Sequence, residues 1–384
     1  MVRWVLYLPT ALLLLLFLMM HLSMARWVLS SPAFKRAPRR RRWAWLVLLT
    51  LVALLVAGFA AGVPSVIRVL PPGPWLAWLR ATSLTWGMVS LGLFFGGLVW
   101  RRLPKFNPAR RQLLQATGGA LAAAPFVAAG FGVFVQRTDI RVRQIDIRLL
   151  GLPKDLDGLR LALLSDIHLS PFLSEKDLAR AVAMANEAKP HVALVTGDLI
   201  TGQADPLDSC LRSLSRLRAE AGILGCLGNH EIYAQAEERA TDEGRRLGIL
   251  FLRSESRPLQ FGNGKLNIAG VDYQRYRSPY LRRADRLKAA GSVNILLSHN
   301  PDVFPVAARQ GWDLTLAGHT HGGQVNVEIL NQSVNFARFF TPYTYGLYEE
   351  GCSALYVTRG IGTVGIPARI GAPPEVALIR LCAT

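Results

Sequence analysis

Four uninterrupted apolar runs dominate the opening part of this 384-residue chain: Trp4–Met20, Trp43–Val63, Leu84–Trp100 and Leu113–Val135. None contains an Asp, Glu, Lys or Arg. Each is long enough to cross a hydrocarbon core of ~30 Å, which takes roughly 17–25 helical residues. The third is the shortest, and reaches back to near Trp75 if Arg80 snorkels. One such run is commonly a buried helix of a soluble protein, but four in succession with almost no acid between them are not. Residues 1–138 therefore read as a membrane domain of four transmembrane helices (4–20, 43–63, 84–100 and 113–135). Residues 139–384 read as a separate folded domain.

The chain holds 44 Lys and Arg against 26 Asp and Glu, for a formal net charge of +18. A basic excess of that size suggests a nucleic-acid partner, but its placement argues against one. Residues 1–140 contain 16 of the basic residues and a single acid, Asp139. The rest is near neutral, with 28 basic and 25 acidic residues. The excess thus belongs to the membrane domain, where it sets orientation. The first connection carries Arg26, Lys35, Arg36 and Arg39–Arg42, and the third carries Arg101, Arg102, Lys105, Arg110 and Arg111. The second carries only Arg68 and Arg80. By the positive-inside rule the first and third connections are cytoplasmic. A multi-pass protein of the cell (inner) membrane follows, with its C-terminal domain extracytoplasmic. Trp43, Trp45, Trp75, Trp78 and Trp100 at the span ends suit an aromatic belt.

Ala109–Gln115, with its Arg110–Arg111 pair, precedes the small-residue run Gly118–Ala124. This resembles a twin-arginine export signal; it reads equally as two more positive-inside arginines. Both readings place the C-terminal domain outside. The spans hold no charged residue of the kind that marks a transport path, and His21 reads as interfacial.

From residue 139 the pattern becomes strands alternating with helices, which means an α/β domain. Strands are expected at 139–150, 158–165, 192–196, 223–227, 249–252, 265–271, 293–297, 314–317, 325–329, 354–358 and 376–381. Helices are expected at 173–188, with Ser174 as N-cap, and near 206–218 and 237–247. Polar residues recur just after the apolar runs, where α/β folds assemble sites. Five such ends offer metal-ligand types: Asp166-Ile-His168, Gly197-Asp198, Gly228-Asn229-His230-Glu231, Ser298-His299-Asn300 and Gly318-His319-Thr-His321. Five of the seven histidines lie in them. Mixed imidazole and carboxylate donors suit Mn, Fe or Zn better than Ca or Mg. The donors are too many for one tetrahedral site but suit two sites sharing a carboxylate.

Taken in order, these blocks resemble the calcineurin-like metallophosphoesterases, whose signature is D-x-H, G-D, G-N-H-[DE], H and G-H-x-H. The strings His299-Asn300-Pro301-Asp302, Gly318–Gln324 and Arg359–Gly362 resemble a bacterial branch with a membrane anchor or twin-arginine signal. The resemblance implies a four-layer αββα sandwich of two mixed sheets. It also implies two metal ions, one held by Asp166, His168, Asp198 and His321, the other by Asp198, Asn229, His299 and His319. His230 would not ligate, but would sit near the phosphate as proton donor or charge stabiliser. The implied reaction is hydrolysis of a P–O bond by a metal-bridging hydroxide. The expected substrate is a phosphoester: a phosphodiester or a lipid-linked or cell-envelope phosphate, with a phosphomonoester as the remaining alternative.

Two other classes compete: a nuclease or nucleic-acid-binding module, and a transporter or sensor with a non-catalytic phosphoesterase-like domain. The charge partition opposes the first, and intact ligand positions oppose the second. Tyr273, Arg275, Tyr276 and Arg277 read as a solvated loop or a substrate rim; Tyr343, Tyr345 and Tyr348 line the cleft or pack a loop. Of the four cysteines, Cys226 and Cys382 lie on expected strands and read as buried thiols; Cys210 and Cys352 complete the set.

Overall fold

The computed structural model describes residues 8–61, 73–102, 108–275, 280–329 and 332–384. It divides into two compact units, one comprising Met1–Val133 with Gly365–Pro367 and the other Phe134–Val364 with Ala368–Thr384.

The first unit contains helices α1 (Leu8–Leu29), α2 (Pro38–Ala60), α3 (Pro74–Arg102) and α4 (Pro108–Phe134). Among the described residues, four helical segments, Ala11–Leu29, Pro38–Ala60, Pro74–Arg102 and Gly118–Thr138, are long and apolar enough to cross a membrane. α3 starts at Pro74, so it takes in both Trp75 and Arg80. Phe17 and Met20 of α1 pack with Leu55 and Phe59 of α2, against Leu84 and Trp86 of α3. A Cβ on Gly58 would collide with Ser83, whose Oγ donates to Leu55 O at 3.0 Å. Small residues let α2 and α3 approach this closely. Leu12, Leu16, Leu49, Phe95 and Val99 are exposed, as suits helices surrounded by hydrocarbon rather than water. His21 departs from expectation: it is buried inside the bundle. Its Nδ1 donates to Phe17 O at 2.7 Å and its Nε2 accepts from Trp86 Nε1 at 3.0 Å. The indole partner, contributed by α3, is what draws it inward. The side chains of the Arg110–Arg111 pair lie outside the described residues.

In the second unit, two six-stranded mixed sheets stack between helices. The first has the order β1 (Arg141–Leu149), β14 (Glu375–Ala383), β2 (Arg160–Leu164), β3 (Val192–Thr196), β4 (Ile223–Cys226), β5 (Ile249–Phe251). The second runs β12 (Gly346–Glu350), β13 (Ser353–Val357), β9 (Leu314–Ala317), β8 (Val293–Leu297), β7 (Gly264–Gly270), β6 (Glu255–Phe261). A hairpin of β10 (Asn326–Ile329) and β11 (Gln332–Asn335) stands apart.

The central strands show why the fold has four layers. Leu161 and Leu163 of β2, with Val192 and Leu194 of β3, face the core between the sheets. Their neighbours Ala162, Leu164, Ala193 and Val195 face the helix layer. A strand buried on both faces reads as a continuous apolar run, which is what these segments are. The helix layer holds α5 (Glu175–Glu187), α6 (Leu207–Leu214) and α8 (Glu237–Arg246). α5 starts with a capping box between Ser174 and Asp177, which satisfies backbone N–H groups that have no intrahelical partner. On the far side, α9 (Phe304–Arg309) and Trp312 cover the second sheet.

All four cysteines are free. Cys226 is buried as expected, whereas Cys382 is half-exposed near the end of β14 and the helical Cys210 is the second buried thiol.

Candidate metal centre

The candidate residues gather at strand ends on one rim of the sandwich. Asp166 and His168 follow β2, and Asp198 follows β3. Asn229 and His230 open the short helix α7 (Asn229–Tyr233) after β4. His299 follows β8, and His319 and His321 follow β9. The first sheet thus contributes five residues and the second three. The sharp turns carry a conformational cost. Asp166, His168, Asp198, His319 and His321 all have left-handed backbone, with φ of 49°, 46°, 54°, 76° and 52°. Non-glycine residues adopt this region rarely, and it recurs at functional sites. Two glycines make room for the donors. A Cβ on Gly228 would overlap the Asp198 carboxylate, and one on Gly318 would overlap Ser165 and Asp166.

Among the described residues, three groups of side chains bring donor atoms within 4.8 Å of one another: Asp166, His168 and His321; His168, Asp198 and His230; and Asp198, His299 and His319. Asp198 lies between two of the histidines. Its Oδ2 is 3.0 Å from His299 Nε2 and 3.5 Å from His168 Nε2. His321 Nε2 lies 3.4 Å from Asp166 Oδ1. Asn229 sits between Gly228 and His230, whose N–H donates to Asp198 Oδ1 at 2.9 Å.

Surrounding groups fix the rings. His168 Nδ1 pairs with Thr201 Oγ1 at 3.1 Å, His299 Nδ1 with Thr196 O at 2.7 Å, and His230 Nδ1 with Thr201 O at 2.8 Å. A carbonyl only accepts, so both His299 and His230 carry a proton on Nδ1 and direct Nε2 elsewhere. Orienting partners of this kind are typical of metal-binding histidines.

The donor set fits divalent cations on two further grounds. His168 Nε2 and Asn229 Oδ1 are buried without a hydrogen-bond partner, although buried polar atoms are normally satisfied. Electrostatics agree. Burial, reinforced by the neighbouring His299, holds His319 down to about 3, and burial with the neighbouring His168 holds His321 well below the usual histidine range. Both are thus neutral, as a ligand must be. Burial opposes ionisation of Asp198, but His299 and His168 beside it hold its carboxyl well below the usual range. Burial raises Asp166, and burial lowers His230.

Residues beyond the motif ligands complete the site. Glu231 is fully buried and accepts three backbone N–H groups around Asp198. Arg369, also fully buried, donates to the carbonyls of Gly362 and Ala372, each at 3.0 Å, and reaches His321 Nδ1 at 3.5 Å. Tyr273 lies with its ring 5.5 Å from that of His319, and burial pushes its hydroxyl up to about 12. That favours the rim reading for Tyr273; Arg275 is exposed, and Tyr276 and Arg277 lie outside the described residues. Tyr345 stacks under the Arg359 guanidinium at 4.4 Å, whereas Tyr343 and Tyr348 pack edge to face with each other.

Comparison with known proteins bears on this arrangement. The model of the calcineurin-like phosphoesterase family matches residues 159–323. The chain is 30% identical over 289 residues to the uncharacterized metallophosphoesterase YkuE of Bacillus subtilis, spanning 72% of this chain and 98% of that protein. It is 28% identical over 369 residues to a Danio rerio protein described as a transmembrane protein with metallophosphoesterase domain, spanning 90% of this chain and 82% of that one. It is 27% identical over 282 residues to phosphodiesterase YaeI of Escherichia coli, spanning 71% and 99%.

Proposed function

The chain belongs to the calcineurin-like metallophosphoesterase family, and from that premise we propose a membrane-anchored, two-metal phosphodiesterase with its site on the extracytoplasmic face. The observation that carries the two-metal reading is the place of Asp198, whose carboxylate belongs to two of the three donor groups. Asp166, His168, Asp198 and His321 would hold one ion; Asp198, Asn229, His299 and His319 would hold the other. Bound there, two divalent ions offset the charge of the phosphoryl oxygens and bring the pKa of a water towards neutrality.

The rest is done by side chains. His230 keeps one proton on Nδ1 against the Thr201 carbonyl, so Nε2 is the atom that gives a proton to the leaving oxygen. Although His230 falls in a donor group with His168 and Asp198, we assign it to proton delivery. Burial lowers its basicity, and the charge of a bound phosphate offsets this. The basic connections at 26–42 and 101–111 support an outward-facing site. Phosphodiester cleavage is supported by the name of the YaeI relative. An anchor of four helices favours substrates at the membrane surface, including lipid-linked phosphates.

The test is metal analysis of the full chain and of Asp198→Ala, together with hydrolysis of phosphodiesters, phosphomonoesters and phospholipids. The reading expects two ions per native chain and loss of both the pair and turnover in the variant. Two ions retained by Asp198→Ala would overturn it.

A further inference from the structure

The second unit carries an apolar tip that the catalytic reading does not use. Phe336, Phe339 and Phe340 are 70%, 81% and 70% exposed. Their rings meet edge on and tilted rather than flat, with Phe336 centred 5.2 Å from Phe340 and 6.2 Å from Phe339. Val327 and Val334, paired across the hairpin, extend the exposed apolar surface. Three phenylalanines gathered in water, with two more exposed apolar side chains on the preceding hairpin, are costly, and such patches mark interaction surfaces.

The base of this tip is firmly held. Asn335 is buried; its Oδ1 caps the Arg338 N–H at 3.1 Å and its Nδ2 donates to Asn326 Oδ1 at 3.2 Å. Thr341 Oγ1 donates to Asp302 Oδ1 at 2.5 Å. The loop also borders the metal centre. Gly323, two residues after His321, packs so closely on Asn335 that any Cβ there would strike it. The exposure is thus a property of a rigid turn next to the candidate ligands.

We propose that Phe336, Phe339 and Phe340 form an interfacial anchor that enters a lipid bilayer and holds the His321 loop at the lipid surface. Three considerations select lipid as the occupant. Exposed phenylalanines on a surface segment suit burial at the boundary between headgroups and acyl chains. Three phenylalanines offer ~150–250 Å² each, short of the ~800 Å² that a stable protein partner takes, whereas lipid requires no complementary shape. The chain also carries, among the described residues, four helices long and apolar enough to cross a membrane, so a bilayer is at hand for this unit. Insertion itself does not rest on the catalytic reading; the consequence for substrate presentation does.

The test places the photocrosslinker p-benzoylphenylalanine at position 339 of the full chain in vesicles of phosphatidylethanolamine and phosphatidylglycerol. Leu150, 68% exposed, serves as the control position. Irradiation is expected to join phospholipid to the peptide bearing position 339 and not to that bearing position 150. Crosslinking to a second copy of the chain, an equal lipid yield at both positions, or no adduct at 339 would each overturn the anchor. Hydrolysis of bis(4-nitrophenyl) phosphate by the same preparation reports on the catalytic reading separately, so failure of one leaves the other legible.

Discussion

Glu231 holds Asp198 through the backbone: its Oε2 accepts the Asp198 N–H at 3.0 Å and the Gly228 N–H at 2.7 Å, while its Oε1 accepts the Leu199 N–H at 2.7 Å. One buried carboxylate therefore fixes two of the three turns that present donors from the first sheet, the one after β3 and the one after β4. Burial and the nearby Asp198 charge raise its pKa, so the three N–H donors are what makes an ionised group tolerable there.

Glu231→Gln is expected to lower stability by about 1–3 kcal/mol, the cost of a buried N–H left unpaired. The glutamine oxygen can keep the two-donor position, but its NH₂ then faces the Leu199 N–H. Glu231→Ala strands all three donors and should cost more. Chemical unfolding of both variants, with metal content measured alongside, checks this. Native-like unfolding and metal binding in Glu231→Gln would show that the contacts contribute nothing.

His230→Ala is expected to keep bound metal and to lose about 10²–10⁴-fold in turnover, the usual worth of a general acid. The variant also frees the Thr201 carbonyl, so Thr201 should be checked by structure. A substrate with a good leaving group needs less proton donation, and the loss should shrink for such a substrate. Equal losses on good and poor leaving groups would remove His230 from that role.

Arg369 is expected to act through His321. Its fork ties Gly362, Ala372 and the His321 ring together from within the core. Arg369→Lys retains charge but loses the planar fork. We expect metal affinity to fall about 10–100-fold, as for other outer partners of ligands. The loss should concentrate on the ion beside Asp166 and His168, so titration should show one weakened and one native-like site. A uniform loss at both sites would instead indicate general unfolding.

The difference between Asp198 and Arg369 marks what was legible in the sequence. Asp198 follows a five-residue apolar strand and a glycine, so its place at a strand end follows from local pattern. The same logic located Asp166, His168, His299 and His319, because parallel strands buried on both faces announce themselves. Arg369 lies in an irregular segment whose partners, His321, Gly362 and Ala372, are brought together only by tertiary folding. Nothing in its neighbours distinguishes a fully buried arginine from an exposed one. Glu231 was visible as part of a motif, but its role depends on the β3 turn, 33 residues earlier. The strands β6, β11 and β12 and the short helix α9 escaped notice because they are polar, edge-placed or brief. The burial of His21 is not legible in its own run, because it depends on a tryptophan from another helix.

Metal binding is expected to release a proton from His299. Burial disfavours the charged ring, but the Asp198 carboxylate 3.0 Å from Nε2 and the nearby Asp166 push it up to about 10 in the metal-free chain. His319, held down to about 3, has no proton to lose at neutral pH. The sign for folding follows from both shifts, taking about 6.5 for an unfolded histidine. Above that value the folded chain keeps a proton on His299 that the unfolded chain gives up, so metal-free stability falls as pH rises towards 10. Below it the unfolded chain gains a proton that His319 refuses, so stability falls again as pH drops towards 3. For the metal the consequence runs one way: the cation must displace the His299 proton, so affinity should climb with pH across the neutral range and level off near 10. Calorimetric titration near about pH 8, repeated in buffers of different ionisation enthalpy, should read about one proton released per chain, since ligands bind deprotonated. Affinity that stays flat with pH, with no proton released, would mean that His299 is already neutral beside Asp198.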